Sequence, residues 1–503
     1  MALPLAQAID DSNVHKKHST DRGNGLFATH DLHVKSQVVF VARPLLMVLD
    51  TAQLRSHCDY CFKSPEDNSA APETVETGTL KRCTGYSAIV NANGTLGLST
   101  TSSSHEAGLL PSGEWDDLHT LEDHYEKILQ AGGKKWQDLV LMSKKIQKDS
   151  GGKRGLEIIL RLVCLIVVNS FTLTSPTFDP IGLIFHPKSA LFNHACNPNA
   201  FVRFDISPKA DSGDFPPYGS ISVHTLRPVS KDEELTISYI DTTSPRFTRQ
   251  QELKDRYFFD CSCDLCSQGS TPILDGYGLG DNAAGQQDPG RQQHLLKIQA
   301  SAEQYLEWVK GTPGMEHEHV AGIKDAMREL ADTHTWGLHR YPWPQLRKLF
   351  FLGLLGLGDF EAAFLQCAIL LTRVYPITVA EKHHPLRLVE TWTLFTMCRA
   401  LLATRTSNGK GKDVEPLATL SCAALHELQG LLDIGGRVDG QFERLVDEAL
   451  RSVQSQPYVW GIYEQRVQSS ISAWAWLKQT VDDYLMEEEG LQVRELNNTN
   501  PVK

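Results

Sequence analysis

The six residues Cys261-Ser-Cys263-Asp-Leu-Cys266 carry three thiols. Cysteines this close along a chain pair poorly with one another, but thiolates at such spacing suit zinc, which takes four donors in a tetrahedron. Either the fourth donor is remote or the site keeps an open, catalytic position. The remote candidate is Cys196 in LFNHACNPNA, residues 191–200, where a tight turn ending in Pro198 holds the sulfur outward. Three unligated surface thiols are the bland alternative. The same stretch crowds Asn193, His194 and Asn199 into apolar surroundings, and buried polar groups demand hydrogen-bond partners. A third stretch, DRGNGLFA at 21–28, reads as a turn through Gly23, Asn24, Gly25 and Leu26 ahead of a strand. Glycines so placed serve a tight turn or let backbone amides approach a ligand closely. A dinucleotide-binding fold is excluded, because neither a third glycine nor a long helix follows.

The other cysteines divide by context. Cys164, Cys367, Cys398 and Cys422 stand singly in apolar helical surroundings and read as small buried hydrophobes, while Cys58 and Cys61 form a C-x-x-C pair with Cys83 beyond it. Eleven cysteines in 503 residues suit reduced thiols better than a disulfide framework. With 41% hydrophobic and 22% charged residues and a mean hydropathy of -0.27, a soluble chain of several domains is expected. The net charge of -12 gives no general pull toward phosphate backbones, so direct nucleic-acid binding is not expected. A run of about 18 apolar residues and a secretion signal are both missing, which predicts a cytoplasmic or nuclear chain without membrane association; a monomer is expected.

The elements that must position these groups follow from composition. Residues 22–50 read as a turn and two strands, from Val and Phe runs between polar breaks. Residues 62–113 are rich in Ser, Thr, Asn, Gly and Pro and read as flexible insertions. Helical spacing dominates 114–171, and its last run, LEIILRLVCLIVVNSF, is apolar all round like a core helix. Residues 181–241 return to short strands, and beyond about 290 helix follows helix. Residues 343–376 carry an apolar helix, a GLGDF turn and a second apolar helix closed by Tyr375 and Pro376. Stacked pairs of the tetratricopeptide kind and a plain helical bundle both fit that pattern.

RGNGLFA, NSF at 169–171, NHACNPN at 193–199, DEELTISYID at 232–241 and DRYFFDCSCDLC at 255–266 stand in order in this sequence. In that order and wording they resemble the SET-domain lysine methyltransferases, and more narrowly the SET-and-MYND family. The resemblance implies an α+β chain: a SET-domain β-fold with a pseudoknot, helical inserts, a zinc-bound post-SET segment and an all-α, tetratricopeptide-like C-terminal domain. It implies an N-terminal SET part at 1–55, a MYND-like insert at 56–125, a helical insert at 126–180 and the catalytic core at 181–243. The post-SET segment then falls at 244–270 and the helical domain at 290–490. The implied cofactors are S-adenosylmethionine and zinc. S-adenosylmethionine would lie against Gly23, Asn24, Gly25 and Leu26, with Asn169, Asn193 and His194 in contact and Phe259 packed on the adenine. Tyr239 falls on the family's active-site tyrosine and Tyr257 on a second channel tyrosine, for which an ordinary core tyrosine is the alternative. The zinc ligands implied are Cys196, Cys261, Cys263 and Cys266. In this fold Asn193 and His194 also belong to the pseudoknot.

The insert departs from the family. Tyr86 stands where a MYND cysteine is expected after Cys83, and Asp123 follows His119 where the last ligand should be. Too few donors remain for closed structural sites, so a vestigial MYND region without firmly held metal is expected; one surviving site on Cys58, Cys61, Cys83 and His119 is the alternative. The function implied is S-adenosylmethionine-dependent methylation of lysine on a histone or non-histone protein, with a peptide or protein partner on the helical domain. The alternative is a SET-derived interaction scaffold with weak or no transferase activity. Retention of the polar motif residues favours the enzyme, because a scaffold gains nothing from burying them.

Overall fold

The computed structural model describes residues 9–19, 22–42, 44–50, 90–91, 95–96, 112–152, 154–205, 219–269, 272–275, 289–312, 315–334, 336–379, 381–407, 414–433, 441–455, 457–487 and 489–491. Cys58, Cys61, Cys83 and Tyr86 lie outside them, and so does the question of metal in the MYND-like insert. The chain divides into two compact units: residues 1–239 with 252–261 and 439–442, and residues 240–251, 262–438 and 443–503.

The first unit is built on short strands. These are β1 (Ile9–Asp10), β2 (Val14–Ser19), β3 (Gly23–Ala28), β4 (Gln37–Val41), β5 (Leu46–Leu49), β6 (Val90–Asn91), β7 (Thr95–Leu96), β8 (Phe171–Thr174), β9 (Pro180–Phe185), β10 (Asn193–His194), β11 (Ala200–Asp205), β12 (Ser220–Thr225) and β13 (Glu234–Ile237). Four small sheets run β1-β4-β12-β11, β10-β13-β3-β2, β5-β9-β8 and β6-β7 among the described residues. Leu26, Val39, Val41, Ile184, Ile221, Val223 and Leu235 bury completely in one shared core. That apolar burial, roughly 25 cal/mol per Å2, fixes which face each strand turns inward. The expected turn at 22–28 is instead a strand, with both glycines inside it.

Four helices are inserted between β7 and β8: α1 (Ser112–His119), α2 (Tyr125–Ala131), α3 (Gly133–Asp149) and α4 (Leu156–Asn169). The apolar run of α4 is not wrapped all round. It buries Ile159, Leu160, Val163, Cys164 and Val168, which recur at three- and four-residue spacing, but leaves Ile158 60% exposed. Helix α5 (Arg246–Tyr257) follows the sheet strands in sequence.

The second unit is helical: α6 (Asp264–Ser267), α7 (Pro272–Asp275), α8 (Pro289–Gly311), α9 (His317–Asp332), α10 (Trp343–Gly356), α11 (Phe360–Ile369), α12 (Tyr375–Thr378), α13 (Pro385–Ser407), α14 (Val414–Asp433), α15 (Gln441–Gln454), α16 (Pro457–Val467) and α17 (Ser470–Glu487). Sequential helices pack on one another, α9 on α10, α10 on α11 and α13 on α14. The GLGDF turn forms as expected: Gly358 takes φ +78°, and Asp359 caps α11 by accepting from the Ala362 amide. Tyr375 and Pro376 do not close the second helix. A π-helical turn, Leu370–Val374, leads straight into α12, where Pro376 sits in the first turn and its missing N–H costs nothing. Contrary to the expectation that no sufficiently long apolar run occurs, the stretch Phe360–Thr378 is long and apolar enough to span a membrane, yet 56% of it is buried inside the protein.

Candidate functional site

The sheet β10-β13-β3-β2 gathers the motifs that the sequence holds apart. β13 pairs antiparallel with β3, setting Leu235 opposite Leu26, and parallel with β10, setting Asn193 opposite Thr236 and His194 opposite Ile237. The parallel pairing joins segments some forty residues apart in sequence. It is braced from the next turn. Asn199, 2% exposed, accepts from the Thr236 amide through Oδ1 at 2.8 Å and donates through Nδ2 to the Glu234 carbonyl at 2.8 Å.

On β3 the two glycines answer different needs. Gly23 has φ +70°, a conformation that disfavours any side chain. Gly25 has an ordinary φ but no room: a Cβ there would lie 2.6 Å from Glu234 Oε1 and 2.9 Å from Asn193 Nδ2. Leu26 is fully buried in the core, which leaves only its main chain for a ligand. The Asn24 side chain lies 3.2 Å from His18 Nδ1 on the neighbouring strand, and its carbonyl accepts from Asn193 Nδ2 at 3.1 Å.

His194 is buried with both ring nitrogens engaged. Nδ1 lies 3.1 Å from the Tyr239 amide. That amide can only donate, so Nδ1 accepts, the ring proton sits on Nε2, and Nε2 donates to Cys196 Sγ at 3.3 Å. The ring therefore joins the Tyr239 backbone to a thiol, and contact with a ligand would fall to the His194 main chain or ring face.

Around it stands an aromatic group. Tyr239 lies 4.9 Å from Tyr257, 6.4 Å from Phe259 in an edge-on arrangement and 5.3 Å from the His194 ring, centroid to centroid. The Tyr239 hydroxyl donates to the Phe192 carbonyl at 2.5 Å, and the Tyr257 hydroxyl donates to the Tyr239 carbonyl at 3.3 Å. Burial pushes both phenols above their ordinary range; for Tyr239 the neighbouring Tyr257 and Glu234 add to the effect. Both stay protonated at neutral pH. Asn169 ends α4 with its amide nitrogen on the Leu165 and Glu122 carbonyls, at 2.8 and 3.0 Å. These bonds tie it to the helical insert and leave Oδ1 for a ligand.

The ligand atoms of Cys196, Cys261, Cys263 and Cys266 all lie within 4.8 Å of one another, buried and without disulfides. Cys196 Sγ and Cys261 Sγ are 4.0 Å apart. Sulfurs about 2.3 Å from a tetrahedral zinc stand roughly 3.8 Å apart, so the donor set and its spacing fit this metal. The Nε2 proton of His194 supplies the outer-shell hydrogen bond that orients a ligating thiolate.

Two residues of the site escaped sequence reading. Glu234 stands within DEELTISYID with no role that the motif implies, and Asn199 is marked in the sequence only as a polar group in apolar surroundings. The available signal was polarity at otherwise apolar strand positions.

Residues 23–240 match the family model described as SET domain. A Schizosaccharomyces pombe protein named SET domain and MYND-type zinc finger protein 6 is 29% identical over 154 residues, 31% of this chain and 29% of that one. The Mus musculus protein named Histone-lysine N-methyltransferase Smyd1 is 26% identical over 355 residues, 65% of this chain and 70% of its own length. The Homo sapiens protein named Histone-lysine N-methyltransferase SMYD1 is 30% identical over 192 residues, 36% of this chain and 38% of its own. The alignments with the first and third relatives thus span well under two thirds of those proteins.

Proposed function

We propose that this chain, a SET-domain protein related to the SET-and-MYND proteins, methylates lysine side chains of a protein substrate using S-adenosylmethionine. The observation that carries the reading is the convergence of Gly23–Leu26 and Asn193–His194 on one sheet, with Tyr239 just beyond the end of its strand β13 and beside Tyr257 and Phe259. The cofactor, when bound, would supply a sulfonium methyl group for transfer to a neutral lysine amine, with the thioether as the leaving group that keeps the C–S electron pair. The chain's own residues bind, align and exclude water. Glycine at 25 lets the β3 backbone approach a ligand, and Asn193 Oδ1 offers an acceptor for an ammonium group. Phe259 offers an apolar edge for an adenine. Tyr239, held protonated by burial, orients oxygen lone pairs near the reacting methyl and is not the base that deprotonates the lysine.

The test is a thermal shift with S-adenosylhomocysteine followed by transfer of labelled methyl groups to histones and to a cell extract. Saturating ligand at 100 times its Kd stabilises by about 2.7 kcal/mol. No shift and no labelled protein would sink the reading in favour of a scaffold.

The four-thiol cluster holds one structural zinc in this reading and staples the post-SET segment, with no part in the transfer. Metal analysis is expected to return about one zinc per chain, falling toward zero in Cys263→Ser with a lowered melting temperature. A full zinc content in that variant would remove the assignment. The helical unit, in the same reading, is tetratricopeptide-like and holds a peptide or protein partner. The chain works as a cytoplasmic or nuclear monomer without direct contact to nucleic acid or membrane.

A further inference from the structure

The glycine-rich strand lies against a polar constellation that the motif leaves unassigned. The Glu234 side chain is 17% exposed, and its Oε2 accepts from Arg22 Nη1 at 3.3 Å. Its Oε1 accepts from Asn193 Nδ2 at 2.8 Å, and the other acceptor of that nitrogen is the Asn24 carbonyl at 3.1 Å. Both acceptors are oxygens that can only receive a hydrogen. The Asn193 amide therefore has one permitted orientation, with NH2 toward Glu234 and Oδ1 on the other side. Asn193 is half-buried, and its Oδ1 makes no hydrogen bond among the described residues.

Gly25 belongs to the same device. A Cβ at this position would strike Glu234 Oε1 at 2.6 Å and Asn193 Nδ2 at 2.9 Å, whereas one at Gly23 would meet nothing within 4 Å. The second glycine is thus required by the Glu234–Asn193 pair as well as by any ligand.

We propose that Glu234 is a positioning residue that fixes the Asn193 amide so that Oδ1 accepts from the ammonium of the cofactor's amino-acid part. The inference rests on the methyltransferase reading above. Without the carboxylate, the amide can turn its NH2 toward the same place, where a donor faces a donor and the ammonium loses its acceptor. The nucleoside half of the cofactor carries no ammonium and is indifferent to this orientation.

That difference supplies the test. Dissociation constants are measured on the purified full chain by calorimetry for S-adenosylhomocysteine and for 5′-methylthioadenosine, which has the same nucleoside without the amino acid. Glu234→Ala is expected to weaken S-adenosylhomocysteine about tenfold and methylthioadenosine less than twofold. Glu234→Gln keeps the volume and can still offer an oxygen to Asn193, so about threefold is expected for S-adenosylhomocysteine alone; this variant decides the matter where the alanine variant does not fold. Equal weakening of both ligands, or of neither, overturns the role of Glu234 while leaving the cofactor reading intact. A wild-type chain that binds neither ligand fails that reading, and the inference falls with it.

Discussion

In the helical unit Arg347, 0% exposed, closes on Glu489 with Nη1–Oε1 at 2.9 Å and Nη2–Oε2 at 2.7 Å, and also donates to Gln366 Oε1 at 2.5 Å. In the sheet unit Asn193 commits both amide hydrogens in the same way but keeps its Oδ1. The guanidinium fork is spent on packing, pinning the segment after α17 onto α10. The amide is spent on one side only, at a half-buried position where a ligand can supply what is missing. Lost hydration is replaced by hydrogen bonds in both places. At Arg347 the chain itself provides the partners of both terminal nitrogens, leaving Nε without one, whereas at Asn193 a ligand can provide the partner of Oδ1.

Breaking the helical lock should have the largest effect. Arg347→Met leaves the Glu489 carboxylate and Gln366 without their charged donor and is expected to cost about 3–5 kcal/mol in urea unfolding, with S-adenosylhomocysteine affinity unchanged. A loss below about 1 kcal/mol would show that the pair locks nothing. The opposite profile is expected of Tyr239→Phe: turnover about a hundredfold lower, near 2.7 kcal/mol of barrier, with ligand affinity and melting temperature little altered. Undiminished labelling of protein in this variant would count against Tyr239 as the central residue.

Acid sharpens the comparison next. Burial pushes His186 and His224 in the sheet unit, and His384 in the helical unit, down to about 4 from an ordinary 6.5. Between those values the unfolded chain binds protons that the folded chain refuses. The contribution of these histidines is therefore constant above pH 7 and falls as pH drops from about 6.5 toward 4, by on the order of 1–3 kcal/mol per histidine. Replacing one of them, as in His224→Phe, is expected to make the acid slope of the melting temperature shallower, and an unchanged slope would remove His224 from the account.

The smallest effect belongs to a partly exposed pair. Lys16 Nζ meets Asp117 Oδ1 at 2.8 Å with side chains 31% and 10% exposed, and Lys188 Nζ stands 3.5 Å from the same carboxylate. Lys16→Met should cost no more than about 1 kcal/mol, because solvent screens the pair and a second cation remains. A cost matching that of Arg347→Met would erase the distinction between the locks.

Much of the site was legible as letters. The three clustered cysteines announce a thiolate site, and Cys196 is the candidate fourth member because it lies in the other polar cluster, where a tight turn ending in Pro198 holds its sulfur outward. The ordered motifs brought Gly23, Gly25, Asn193, His194 and Tyr239 to notice. Less legible was what each does with its atoms. His194, read as a cofactor contact, has both ring nitrogens taken by Tyr239 and Cys196. Asn169 gives its amide nitrogen to main-chain carbonyls. The apolar run of α4 and the helix expected to end at Tyr375 went astray for a related reason: periodicity records which residues can be buried, while neighbours decide which are.

By itself the sequence determined the local choices: strands where Val and Phe alternate, helices at three- and four-residue apolar spacing, a left-handed glycine at the GLGDF turn, and a thiol set suited to zinc. These depend on each residue's own conformational and chemical preferences, which act over a few positions. Only the tertiary structure decided that β10 lies parallel to β13, that Asn199 braces that pairing, and that Glu234 stands over Gly25 with Asn193 in its grip. Such contacts join residues from about forty to two hundred positions apart, and they form because burying the shared core strips water from polar groups on those strands and favours partners within reach.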